Sequence, residues 1–333
     1  MSAEKIIGDW KKKLYKPIYW LEGEEDYYID VVMNYAEHKI LPESEAGFNL
    51  SVFYGKDANW SEVVNACMRY PMFAEKQVVL LKEAQQMKDL DKLENYIEHP
   101  LASTILVVSH KEKTLDKRKS LYKNLKKTGE VFTSEKIREY KLVEWLTDYV
   151  KSQDFTMSAK AIALLVANLG NDLSRIVNEI DKLTLNIGNR KSITEDDIEK
   201  YVGISKEYNA FELQDALSKK DLVKAIKIIQ YFEANPKAAP IQLVLPALYN
   251  YFSKLYAIFG SVDKSENGVK HLFYNNTFAA KDAITAAKKY SYEGVERALL
   301  LLHEYNLRSV GVNSTGATSD GSLMKELVVK IMG

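Results

Sequence analysis

Ile18-Tyr19-Trp20-Leu21-Glu22-Gly23-Glu24-Glu25-Asp26-Tyr27-Tyr28-Ile29-Asp30 is the stretch on which the reading of this chain turns. Ile18 to Leu21 is a short β-type run that ends at Gly23, and from Tyr27 to Ile40 apolar residues return at helical spacing (Tyr28, Val31, Val32, Tyr35) until Pro42. Strand, glycine turn and helix therefore follow one another without a break. Upstream, Ile6, Ile7, Trp10 and Leu14 fall on one helical face before Pro17 interrupts.

Downstream the alternation continues. Phe48 to Tyr54 reads as a second strand, and Asn59 or Asp57 caps a helix expected to end near Tyr70-Pro71. Gln77 to Leu81 is a third strand, Asp89 to Glu98 a helix, and Thr104 to Ser109 a continuous apolar run that suits a sheet covered on both faces. Strands alternating with helices imply a parallel α/β domain. After Val131-Phe132 the β signal stops, and the remaining sequence reads as helix after helix. The expected class is thus α/β plus all-α, with domains at 1–139, 140–206 and 207–333. Gly311 to Ser322 is small and polar and reads as a mobile loop before a last helix from Leu323 to Met332.

A strand running into a glycine turn and a helix is where phosphate-loop proteins carry G-x-x-x-x-G-K-S/T, whose amides and lysine hold phosphates while the hydroxyl holds magnesium. Gly23 occupies the first glycine's place. Tyr28 then stands for the second glycine, Ile29 for the lysine and Asp30 for the hydroxyl residue. The acids of the turn oppose a triphosphate by about 1 to 4 kcal/mol per charge pair at 4 Å. The strand at Val78 to Leu81 runs into Lys82-Glu83, not into the acidic pair that would supply a magnesium ligand and a base. From these residues alone, a retired nucleotide site and an α/β fold that never bound nucleotide stand level.

Composition narrows the rest. The 333 residues are 46% hydrophobic and 28% charged, which is ordinary for folded domains, and 46 basic residues balance 46 acidic ones, so any nucleic-acid contact must be local. One local candidate is Lys111 to Lys127, where seven lysines and one arginine face only Glu112 and Asp116. Such a run is usually a solvated helix face; the alternative is a strip touching DNA phosphates without sequence preference, with Lys117, Arg118, Lys119 and Lys123 as the named residues. Cys67 is alone and the five histidines are scattered, so neither a disulfide framework nor a metal centre is expected. With no signal-like start and no long apolar run, the expectation is a cytoplasmic chain without a membrane segment.

Lys16 to Glu25, Trp60, and Met68-Arg69-Tyr70-Pro71-Met72-Phe73-Ala74-Glu75-Lys76-Gln77 through Leu81 together resemble the delta subunit of the bacterial DNA polymerase III clamp loader. So do Leu169 to Arg175, Asn178 to Leu183 and Ile193 to Ile198 for its small helical domain, and Phe211 to Leu217 for the opening of its collar. Asn306 and Val310 depart from the pattern, since the family tends to carry an acid and then a lysine there.

The resemblance implies an AAA+-like fold with a degenerate phosphate loop, a lid domain and a collar that joins the other loader subunits. It implies no catalysis and no cofactor of its own, and it implies partners: the sliding clamp, which the subunit binds and opens, and primed DNA within the complex. The clamp-gripping pair falls on Met72 and Phe73, with Pro71 ending the preceding helix; the competing reading packs that pair against its own sheet. Two further functional classes stay open at this point, an ATPase with an unorthodox nucleotide site and a helical scaffold outside replication. Arg175 is expected to pair with Glu179, Cys67 to lie in the core, and Tyr249, Tyr251, Phe252, Tyr256 and Phe259 to serve either core or interface.

Overall fold

Five apolar runs become five parallel strands: β1 (Ile18–Gly23), β2 (Leu50–Tyr54), β3 (Gln77–Lys82), β4 (Thr104–Lys111) and β5 (Glu130–Ser134). In the computed structural model, which describes residues 2–236, 239–273, 275–312 and 319–333, they are ordered β2-β3-β4-β1-β5. The expected α/β class is what the chain adopts here. β1 lies between β4 and the edge strand β5, with Trp20 level with Val108 of β4 and Val131 of β5.

Side chains alternate across this sheet as the strand period of two requires. Ile18, Trp20, Val79, Leu81, Leu106 and Val108 face one helical layer, which includes α4 (Trp60–Cys67), α5 (Glu94–Glu98) and α6 (Ser120–Thr128). Tyr19, Leu21, Val78, Leu80, Ile105 and Val107 face the other, with α1 (Ala3–Lys11) and α2 (Asp26–Lys39). Both faces are therefore dry, as the continuous apolar runs of β3 and β4 demand.

Four local expectations are corrected. α1 stops at Lys11, and Lys13 turns left-handed (φ 59°), leaving Leu14 exposed rather than on the buried face. The second strand begins at Leu50, not Phe48, because Pro42 does not merely end α2. It opens α3 (Glu43–Asn49), whose first turn carries Glu43 and Glu45, well placed at the positive end of the helix dipole. α4, capped by the reciprocal Asn59–Glu62 pair, ends at Cys67 and not at Tyr70-Pro71. Asp89 to Glu98 is a 3₁₀ turn over Leu90–Leu93 followed by the single short helix α5.

The chain divides into two compact units, 1–137 and 138–333. The second is helical apart from a two-residue parallel pairing of β6 (Thr156–Met157) with β7 (Ser192–Ile193), a departure from the all-helical expectation. α7 (Glu139–Ser152), α8 (Ala159–Leu169), α9 (Leu173–Asn186) and α10 (Glu195–Asp197) lead to a π-turn over Ile198–Val202, closed by Gly203 at φ 81°. Glu179 pairs with Lys182, where Arg175 was expected.

Beyond it come α11 (Ala210–Lys219), α12 (Leu222–Ala234), α13 (Ile241–Gly260), α14 (Glu266–Val269), α15 (Thr277–Ser309, broken at Ser291) and α16 (Asp320–Met332). Their core includes Ile228, Phe232, Leu248, Phe252, Leu302 and Leu327. The aromatic run of α13 is divided: Tyr251 and Phe252 are buried, Phe259 packs at the core's edge, and Tyr249 and Tyr256 are exposed. Residues 313–318 of the expected mobile loop lie outside the described residues.

Candidate functional site

The β1–α2 turn is filled by its own domain. Gly23 has φ 125°, and a Cβ there would lie 2.0 Å from the Ser134 carbonyl oxygen, so glycine is required by the close approach of β5. Its amide donates to the Lys113 carbonyl (3.2 Å), and the Glu24 amide donates to the Ser134 carbonyl (2.9 Å). Ser134 Oγ donates to the Glu25 carbonyl (2.8 Å), while the Glu25 carboxylate accepts from the Tyr27 amide at the start of α2 (3.4 Å). Backbone amides in the first half of the turn, the groups a phosphate loop would present, are thus already spent.

The side chains agree. Ile29, in the lysine's position, is buried in the core beneath the sheet; Tyr28 is partly buried against Tyr27; Asp30 is exposed and paired with Lys111 Nζ (2.8 Å). Lys111 also reaches Glu83 (3.4 Å). Burial works to lower the lysine's pKa, but the Asp30 hydrogen bond and the charges of Asp30, Glu83 and Asp26 outweigh it and leave the lysine above its ordinary value.

Glu22 is buried, and accepts from the Leu115 amide (2.9 Å) and Thr133 Oγ1 (3.3 Å); burial pushes its carboxyl above the ordinary range despite those bonds. Burial likewise raises Asp26, with Lys111 opposing and Asp30, Glu112 and Glu83 adding to the rise. At the end of β3, Lys82 is bound to Glu37 (2.6 Å).

The segment between α4 and β3 is built in the opposite sense. Two buried polar side chains hold its backbone. The Gln77 side-chain amide nitrogen lies 3.1 Å from the Ala66 carbonyl and 2.8 Å from Thr104 Oγ1, and Thr104 Oγ1 donates to the Cys67 carbonyl (2.8 Å). These contacts take up carbonyls that the end of α4 leaves open. From α3, Asn49 accepts the Met72 amide (2.7 Å) and donates to the Met72 carbonyl (2.9 Å) and the Glu45 carbonyl (3.2 Å). Phe73 then adopts a left-handed backbone (φ 54°) with its side chain 97% exposed; Met72 is 52% and Tyr70 76% exposed. Met72 and Phe73 therefore do not pack on their own sheet, and they sit in a loop five residues past the helix end, with Pro71 in that loop and not at the helix terminus. Cys67 is buried, and desolvation pushes its thiol up to about 12.

Lys117, Arg118 and Lys119 lie in the turn before α6, and Lys123 is on its outer face, opposite the buried Leu121 and Leu125. Arg118 is engaged with Asp116 (2.8 Å) and Lys119 with Asp91 (3.3 Å). Among the described residues no ion pair involves Lys117 or Lys123.

Comparison with known proteins bears on this domain first. The family described as DNA polymerase III, delta subunit, matches residues 19–135, which contain both the filled turn and the exposed loop. A Bacillus subtilis DNA polymerase III subunit delta is 28% identical over 228 residues, 66% of this chain and 66% of that protein. Its first domain is thus similar to that of the DNA polymerase III delta subunits. A probable subunit delta from Aquifex aeolicus is 22% identical over 302 residues, 86% of this chain and 83% of that protein. The solved structure of a Bacillus subtilis DNA clamp loader delta protein shares the fold with a TM-score of 0.58 at 23% identity, over 99% of each chain.

The five-stranded sheet sets Gly23 beside Lys111 and brings Asp30 together with Lys111 and Glu83, whereas sequence reasoning read Lys111 only as the start of the basic run. It also missed Asn49 and Gln77. Asn49 fell inside an expected strand, and Gln77 was read only as the strand's first residue. The available signal was a lone polar residue opening an apolar strand, in register with Thr104.

Proposed function

We propose that this chain is a clamp-loader subunit without ATPase chemistry, which grips and opens the ring-shaped sliding clamp during DNA replication. The observation that carries this reading is the apolar pair Met72–Phe73, presented to solvent from a backbone held at Met72, within the stretch that matches the delta-subunit family. Exposed aromatic and methionine side chains on a held scaffold suit insertion into a partner's apolar pocket. The filled β1–α2 turn supports the absence of nucleotide chemistry in this chain, so that hydrolysis falls to neighbouring subunits of the polymerase III holoenzyme.

Residues 140–206 then act as the lid and 207–333 as the collar through which the loader ring assembles. Of the four named basic residues, Lys117 and Lys123 have charge to offer primed DNA, while Arg118 and Lys119 are held by their own domain's acids. The work is cytoplasmic.

The test uses the purified full chain and a ring clamp with no nucleotide present. Saturable binding, and faster release of clamps preloaded on circular DNA, are expected. A chain that neither binds the clamp nor unloads it would overturn the proposal.

A further inference from the structure

The Asn49–Met72 pair is the most specific unassigned arrangement near the exposed loop. Asn49 is almost fully buried, and its side-chain oxygen and nitrogen engage the amide and the carbonyl of one residue 23 positions away. This is the two-bond pattern by which one strand reads another, made here by a side chain. Its second donor bond, to the Glu45 carbonyl, ties the same amide group to α3. The carboxamide is therefore oriented before it meets Met72. Among the described residues nothing comparable touches Phe73, whose left-handed backbone (φ 54°) is a conformation that a non-glycine residue holds only when its neighbours impose it.

We infer that Asn49 is the positioning residue of the clamp-gripping loop: it fixes the Met72 backbone so that Phe73 stands out of the loop already in its binding orientation. This rests on the reading of Met72 and Phe73 as the clamp contact. A second tie, Arg69 Nη2 to Ser51 Oγ at 3.4 Å, runs in the same direction, from the loop to the segment that follows Asn49. Without Asn49 the loop samples other conformations, and the measured dissociation constant rises in inverse proportion to the competent fraction that remains. Truncating Asn49 thus lowers affinity without removing any atom that touches the clamp.

The experiment titrates the ring clamp into the full chain carrying Asn49→Ala, Asn49→Asp, Phe73→Ala or Asn49→Ala with Phe73→Ala, and follows hydrogen exchange at the Met72 amide in the free proteins. Asn49→Ala is expected to weaken clamp binding about tenfold, and by less than about threefold when Phe73 is already alanine, because the two act on one contact. Met72 exchange should accelerate while strand amides of β3 and β4 keep their protection. Asn49→Asp preserves size and the acceptor but loses both donors, so it covers the case in which the alanine variant fails to fold; it too should weaken binding.

A merely structural Asn49 would lower thermal stability and speed exchange throughout the sheet while the folded fraction kept its clamp affinity, and that result overturns the inference. So does an unchanged Met72 exchange rate. If Phe73→Ala binds the clamp like the unaltered chain, the contact itself has been misassigned and both readings fall. If Phe73→Ala is severely weakened and Asn49→Asp is not, only the positioning role is lost.

Discussion

The β1–α2 turn and the α4–β3 loop lie in one domain and treat backbone and side chains in opposite ways. In the turn, the amides of Gly23 and Glu24 are donated to carbonyls of the chain itself, and Ile29 points into the core. In the loop, the backbone of Met72 is also satisfied internally, but by the side chain of Asn49, so its own side chain and that of Phe73 are left to solvent. The difference teaches how one parallel-sheet domain can use its backbone in two ways. Filling a turn with backbone removes a ligand site, whereas satisfying a loop from beneath leaves its side chains free for a partner.

If the loop is the working surface, the largest effect belongs to it. Burying each side chain is worth roughly 1.5 to 3 kcal/mol. At about 1.4 kcal/mol per decade, Met72→Ala with Phe73→Ala should therefore cost about two to four decades of clamp affinity, by titration, with thermal stability nearly unchanged. Clamp affinity preserved in the double variant would break the comparison at this end.

The turn should show the reverse pattern. Gly23→Ala places a Cβ against the Ser134 carbonyl at a backbone angle that L-residues avoid. A loss of about 3 kcal/mol of stability in urea denaturation is expected, while the clamp affinity of the folded fraction moves by less than about twofold. A Gly23→Ala chain as stable as the parent would mean that the turn is looser than its contacts imply.

Sequence alone made the turn legible and left the loop half-read, for a physical reason. Strands announce themselves through local apolar runs, and the missing lysine at Ile29 is a matter of counting from Gly23. The loop's geometry is not local. Asn49 and Met72 are far apart in sequence, and Phe48, read as a strand residue, turned out to be an exposed member of α3 because Pro42 starts that helix. Likewise the end of α4 at Cys67 depends on Gln77 and Thr104, which arrive from neighbouring strands. Met72 and Phe73 were placed through resemblance; their exposure is what the fold adds.

A pH measurement sharpens the turn's half of the comparison. Burial raises Glu22 above its ordinary value, so the folded chain holds that proton more tightly than the unfolded chain does. The sign follows: Glu22's contribution to stability increases as pH falls through the raised folded value and levels off below the ordinary carboxylate value. Glu22→Gln should flatten this weakly acidic limb in melting curves, an effect smaller than that of Gly23→Ala. A limb unchanged in the variant would assign the slope elsewhere, with Asp26, shifted the same way, the next group to replace.

The smallest expected effect is that of nucleotide, and its size makes it decisive. A site with a micromolar dissociation constant, exposed to about 1 mM ATP with magnesium, would add about 4 kcal/mol of stability by mass action. For a protein of this size that amounts to a rise of roughly 6 °C in melting temperature. The turn offers no such site, because the Gly23 and Glu24 amides are committed, Lys111 is held between Asp30 and Glu83, and Asp26 and Glu112 add acidic charge nearby. ATP should leave the melting temperature within about 1 °C and clamp affinity within about twofold. A shift of several degrees would show that the turn can open and release its amides, and the contrast between a closed turn and an open loop would then describe one state of the chain and not its design.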